Sequence, residues 1–133
     1  MASGRRDYTW GFLNEAAVEG RYTESFMKQG EDTVMAGATA VPYTYTVPVG
    51  YRLTVNRIDI STESRVRNIA LILLGVDVVS MHYFSDNYSL VFSDQNPYYI
   101  AAGEGLSVQC INQDEITSVF LCTVTGSLME LIS

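Results

Sequence analysis

A period of two takes hold of the chain at Val41 and leaves few folds open to it. In YTYTVPVGYRLTVNRIDIS (43–61), Tyr43, Tyr45 and Val47 alternate with Thr44 and Thr46. Leu53 and Val55 then share one parity, and Ile58 and Ile60 share the other. Side chains point to opposite faces at successive strand positions, so both pairs reach one face only through a bulge near Asn56 or Arg57. A strand that serves two sheets is the alternative. Pro48-Val49-Gly50 reads as a turn, with Pro fixing φ and Gly permitting the corner. Ile69 to Leu74 is a continuous apolar run, followed by Gly75 and a second run at Val76 to Val79. Its β-branched content and short length favour strands over a helix. Further short strands follow: YSLVF (88–92), Tyr98 to Ile100, LSVQCI, TSVFLCTVTG and SLMELI. They are separated by Asp94-Gln95-Asn96-Pro97, Ala102-Gly103-Glu104-Gly105 and Asn112 to Glu115. About eight or nine strands joined by polar or Gly/Pro turns predict an all-β antiparallel sandwich, a jelly roll first and an immunoglobulin-like sandwich second. Trp10 precedes both Cys110 and Cys122, so the immunoglobulin Cys…Trp…Cys order is missing.

Residues 1–40 lack this alternation. Phe12, Leu13, Ala16 and Ala17 fall at helical spacing within Trp10 to Val18, and Thr23 to Lys28 is a second, weaker helical candidate. MAGATAV (35–41) reads as extended or irregular. The expected organisation is an N-terminal arm, partly helical or irregular, over residues 1–40 and a β-sandwich over 41–133. The arm carries Tyr8, Trp10, Phe12, Leu13, Tyr22, Phe26 and Met27. Burying a large aliphatic side chain or Phe is worth roughly 1.5 to 3 kcal/mol. The arm is therefore expected to lie in a groove of its own body or of a neighbouring subunit.

Composition closes several functional classes. Fifteen acidic residues face eight basic ones, a net charge of −7, which argues against a nucleic-acid surface built on clustered Lys and Arg. No apolar run approaches the length of a membrane-spanning helix, and Arg5 and Arg6 are not followed by a signal-peptide core. Charged residues make up 17% of the chain, against about 25% in an average soluble protein. A weakly charged surface is buried in an assembly at a lower desolvation cost.

No catalytic constellation emerges. The one histidine, His82, cannot supply the several imidazoles of a cupin-like metal site, and the spacing of Cys110 and Cys122 lacks the close pairs of structural zinc. The nucleophile elbow, the P-loop and the dinucleotide fingerprint are all missing, so no cofactor is expected. Both cysteines share parity with apolar neighbours and read as buried, unreactive thiols, with a cross-strand disulfide as the alternative. Asp86, Asp94 and Asp114 fall in turns, where solvation explains them, although oxygen ligands gathered at one end of a sandwich could hold calcium. Tyr98 and Tyr99 are the candidate glycan contacts, and in a strand they must point to opposite faces. Arg52, Arg57, Arg65 and Arg67 gather in one stretch, where arginine suits an interface with an acidic patch on another copy. A solvated edge explains them as simply.

Two segments carry a family likeness. Thr46, Val47, Pro48, Gly50 and Arg52, then Ile100, Gly103 and Gly105, resemble turn-and-strand patterns of small jelly-roll-like structural proteins in tailed bacteriophage virions. The match departs from the pattern at Tyr51, which separates the glycine from the basic residue. The resemblance implies a capsid decoration or minor capsid protein of the virion, acting through homo-oligomeric contacts and contacts with other virion proteins. A trimer is the first expectation, with a pentamer or dimer behind it. Neither nucleic acid nor membrane is an expected partner, and the chain is not expected to be an enzyme. The competing expectation is a carbohydrate-binding sandwich module, such as a virion attachment domain, using Tyr98 and Tyr99.

Overall fold

A computed structural model describes residues 20–131, apart from the side chains of residues 20–22, 78 and 79. These residues form nine strands: β1 (Gly20–Val34), β2 (Thr39–Thr46), β3 (Tyr51–Thr62), β4 (Asn68–Leu74), β5 (Asp77–Phe84), β6 (Asn87–Val91), β7 (Tyr98–Ile100), β8 (Gly105–Ile111) and β9 (Ser118–Leu131). The first sheet runs β1-β9-β3-β6, with β7 also pairing β3, and the second runs β2-β8-β4-β5. Every strand pair is antiparallel. The chain changes sheet at six of the eight connections between these strands, and the resulting order is that of a jelly-roll-like sandwich. One apolar core lies between the sheets, and Leu53, Val55, Ile58, Ile60, Ile72, Val108 and Phe120 are its sealed centre.

The parity switch in β3 is a bulge. Its register against β9 shifts between Val55 and Arg57, so Leu53, Val55, Ile58 and Ile60 all face the core. The partner strand accommodates the bulge at Gly126, where a Cβ would lie 1.9 Å from the carbonyl oxygen of Thr54. The sequence reading treats this glycine as the break between two strands. Instead β9 runs unbroken through it, because the glycine provides close approach and no corner. On the other side of β3 the bulge divides two partners. Strand β7 pairs Leu53 to Val55, β6 pairs Arg57 to Ser61, and the Phe92 N–H donates to the Asn56 carbonyl at 2.8 Å.

The segment Thr23–Lys28 is strand and not helix. Residues 20–34 pair with β9 along nearly its whole length, from Gly20 opposite Leu131 to Val34 opposite Ser118. Phe26 is buried and meets Tyr45 of β2 edge-on, with ring centroids 4.9 Å apart. Residues 20–40 thus belong to the sandwich, and the boundary expected at residue 40 does not set them apart. Local composition hid this. Thr23, Ser25, Gln29, Glu31 and Thr33 leave Met27 as the one apolar side chain of one face, and Lys28 and Gly30 interrupt the other. The first helical candidate (10–18) and residues Tyr8, Trp10, Phe12 and Leu13 lie outside the described residues.

Candidate functional site

The two segments that carry the family likeness meet at one end of the sandwich. Each makes a tight turn with a glycine at positive φ in its third position: Gly50 at 87° and Gly103 at 85°. The Tyr51 N–H donates to the Pro48 carbonyl, and the Glu104 N–H to that of Ala101. Val47 stitches the two turns together, donating to the Glu104 carbonyl and accepting from the Gly103 N–H. The glycine at 75, the first central position of the β4–β5 hairpin, donates to the Gly105 carbonyl at the same end. Val49 and Val76 stand at these turn tips, 90% and 84% exposed.

A buried polar clasp holds the opposite end. The Asn112 side-chain amide donates to the carbonyls of Val34, Met35 and Ile116, and its oxygen accepts from the Asp114 N–H. Its backbone closes a further pair with Gly37 and Ala38. Asn68, equally sealed from solvent, donates to Ser64 Oγ and accepts from the Gln113 N–H, and Ser64 Oγ donates to the Asp114 carboxylate. Every arm of this network ends on a partner, which is the condition under which buried polar groups stabilise a fold. Sequence reasoning missed it, since Asn112 looked like any polar loop residue. Its one legible signal is its place directly after the alternating run of β8.

The outer face of the first sheet holds two of the four expected interface arginines, Arg52 and Arg57. Arg57 Nε donates to the Asp59 carboxylate at 2.9 Å, two residues along the same face. Arg52 lies with its guanidinium 4.4 Å from the ring centre of Tyr99 and its Nη2 3.8 Å from Met129 Sδ. Arg65 and Arg67 do not share a strand face, because both precede β4. Arg65 borders a depression with Thr62, Glu63 and Asp86, and Arg67 sits 4.6 Å over the ring of Tyr83. The arginines therefore do not gather into one patch. Phe26, expected at an interface, is buried in its own core, while Met27 beside it is 65% exposed. The side chain of Tyr22 lies outside what is described.

Tyr98 and Tyr99 do point to opposite faces. Tyr98 turns inward against Phe92, with centroids 5.7 Å apart, and its hydroxyl reaches the Leu74 carbonyl at 3.5 Å. Tyr99 faces outward beneath Arg52. They form no joint platform for a sugar ring. His82 is exposed and stacks on Tyr88, centroids 4.6 Å apart. Cys110 and Cys122 are free, buried, and carried by different sheets. Burial pushes both thiols up to about 12, and Cys110 and Asp59 add to the effect at Cys122. Burial, with Tyr45 and Cys122 adding to it, likewise raises the Tyr43 hydroxyl to about 12. Such thiols are poor nucleophiles and poor metal ligands at neutral pH. Among the described residues, no three His, Cys, Asp or Glu side chains stand together as a metal site.

No family model matches the chain, and no curated protein matches it. Solved structures do. PirA aligns at a TM-score of 0.48 and 16% identity, over 80% of this chain and 94% of its own. A pilus protein of Bacillus endospore appendages aligns at 0.46 and 8%, over 85% and 94%. The capsid of Helicobacter pylori bacteriophage KHP30 aligns at 0.41 and 7%, over 78% and 93%. At such identities the likeness is one of general β architecture.

Proposed function

We propose that the protein is a non-catalytic structural component of a virus particle, of the capsid-decoration or minor-capsid kind. On this reading it acts through contacts with its own copies and with other particle proteins. The observation that carries the reading is where apolar surface remains. Val49 and Val76 project from one end of the sandwich, and Met35 and Ile116, 71% and 65% exposed, project from the clasped end. Loop tips are ordinarily polar, and apolar tips on a rigid two-sheet body suit docking between protein surfaces. The chemically capable side chains point the same way. The thiols are sealed, and Arg52, Arg57 and Arg67 each engage an aromatic ring or a carboxylate of the same chain.

Two measurements test the proposal. Mass spectrometry of purified virus particles from the source of the gene should find the chain in stoichiometric amount, and its absence there would overturn the virion role. A glycan array should show no saturable binding. Clear binding to one sugar class, lost on Tyr99→Ala, would make the protein a carbohydrate-binding module instead.

A further inference from the structure

Strand β4 has the sequence NIALILL, apolar on both parities. A strand with one solvated face alternates, whereas a near-continuous apolar run is the mark of a strand covered on both faces. Among the described residues β4 has only one cover. Asn68, Ala70, Ile72 and Leu74 point to the core, leaving Ile69, Leu71 and Leu73 on the outer face of the second sheet. The register places more apolar side chains beside them. Ile69 stands opposite Tyr83 on one side and Ile111 on the other, and Leu71 stands opposite Met81. Met81 is 68% exposed and Tyr83 is 61% exposed. Among the described side chains, Thr39, Thr44, Thr46, Ser107 and Gln109 complete this face. No carboxylate or ammonium lies among these residues; Arg67 enters at one margin, over Tyr83, and the Glu104 carboxylate at the other, beside Gly75.

We propose that this outer face is covered by the same face of a second copy, packed sheet to sheet about a two-fold axis. The inference rests on the reading that the protein works through contacts between copies, and it names the surface. Charge selects the occupant. A chain with net charge −7 repels its own copies, so an isologous contact forms best where the touching surfaces carry no charge. This face meets that condition, and the outer face of the first sheet, with Glu31, Arg57 and Asp59, does not. Size sets the strength. Four strands about 4.8 Å apart and about seven residues long span on the order of 500 Å² in plan, so the pair buries on the order of 1,000 Å², the lower end for specific contacts. The expected contact is therefore reversible and concentration-dependent.

Sedimentation velocity on the full-length chain, from about 1 to 100 µM, tests this, over the micromolar range that a reversible contact populates. The mass should rise toward an even multiple of the single chain. Met81→Lys places a charge in the contact at a position exposed in the single chain, so folding is unaffected and checkable by circular dichroism. It should weaken association at least tenfold, and Tyr83→Ser should weaken it less. If the wild type associates and Met81→Lys associates equally well, this surface is wrong while contact between copies stands. A wild type that stays monomeric at 100 µM overturns both, and residues 1–19 of the same chain become the cover to examine.

Discussion

The two sheets share a core and differ on their outer faces. The outer face of β1-β9-β3 carries Gln29, Glu31, Arg57, Asp59 and Thr123 beside exposed Met27 and Leu121, with Arg57 and Asp59 paired along one strand and the Ser89 hydroxyl donating to Asp59. The outer face of β2-β8-β4-β5 carries Ile69, Leu71, Leu73, Met81, Tyr83 and Ile111. Inside, both sheets contribute equally sealed aliphatics and one cysteine each. Both faces expose apolar side chains, and they differ in charge: the first sheet carries Glu31 and the Arg57–Asp59 pair, whereas the outward side chains described on the second are uncharged.

Opposite sides of β4 break this comparison most forcefully. Ile72→Ala, at a fully sealed core position, should cost about 2 to 5 kcal/mol in denaturant unfolding. Leu71→Ser, one residue away on the outer face, should leave the unfolding midpoint of the dilute protein nearly unchanged and reduce association instead. Equal losses of stability from the two would mean that the outer face is covered within the single chain.

Asn112→Ala is expected to cost roughly 3 kcal/mol, since the fully buried amide makes three hydrogen bonds to carbonyls and accepts one from the Asp114 N–H. The clasp binds the end of β1 to loops of both sheets. Limited proteolysis of the variant should cut first at 34–38 and 112–117, and unchanged resistance there would show that the clasp carries no weight.

Alkaline unfolding asks whether the sheets match inside. The Cys110 and Cys122 thiols are raised from 9.0 to about 12 in the fold, so between those values the unfolded chain holds fewer protons than the native one. Stability is then full below pH 9 and falls as pH rises toward 12, by up to about 1.4 kcal/mol per pH unit for each thiol. Cys110→Ala and Cys122→Ala should flatten this fall to a similar degree. A flattening confined to one of them would show that one sheet's interior is wetter than the other's.

The smallest effect belongs to the solvated face. Arg57→Ala removes an exposed pair and should change stability by less than about 1 kcal/mol, with no change in association. A marked loss of association would move the contact to the first sheet.

Much of the sandwich was legible because burial on one side imposes a period of two. The bulge in β3 could be read from the parities of Leu53, Val55, Ile58 and Ile60, and the turns at Gly50 and Gly103 from their Pro and Gly. Strand β1 was hidden because an edge strand with few apolar positions leaves no alternation to read, and its pairing with β9 is a long-range fact. The stretch that holds Arg52, Arg57, Arg65 and Arg67 is continuous in sequence and divided in space. The bulge keeps Arg52 and Arg57 on one face, but Arg65 and Arg67 belong to a connection leading into the other sheet. The continuous run in β4 gave the opposite lesson. It read as the most buried stretch of the chain, three of its seven side chains are only partly buried, and the proposed second copy would account for that mismatch.

Three methionines provide the most direct measurement of that cover. Met27 on the outer face of the first sheet, Met35 on a loop and Met81 on the outer face of the second are 65%, 71% and 68% exposed in the single chain. Peroxide oxidation of each, followed by mass spectrometry of the full-length protein, compares them under identical conditions. At low concentration the three should oxidise at similar rates. As concentration rises, Met81 alone should slow, while Met27 and Met35 keep their rates. Equal rates for all three at every concentration, or protection of Met81 that does not vary with concentration, would contradict a second copy on the second sheet.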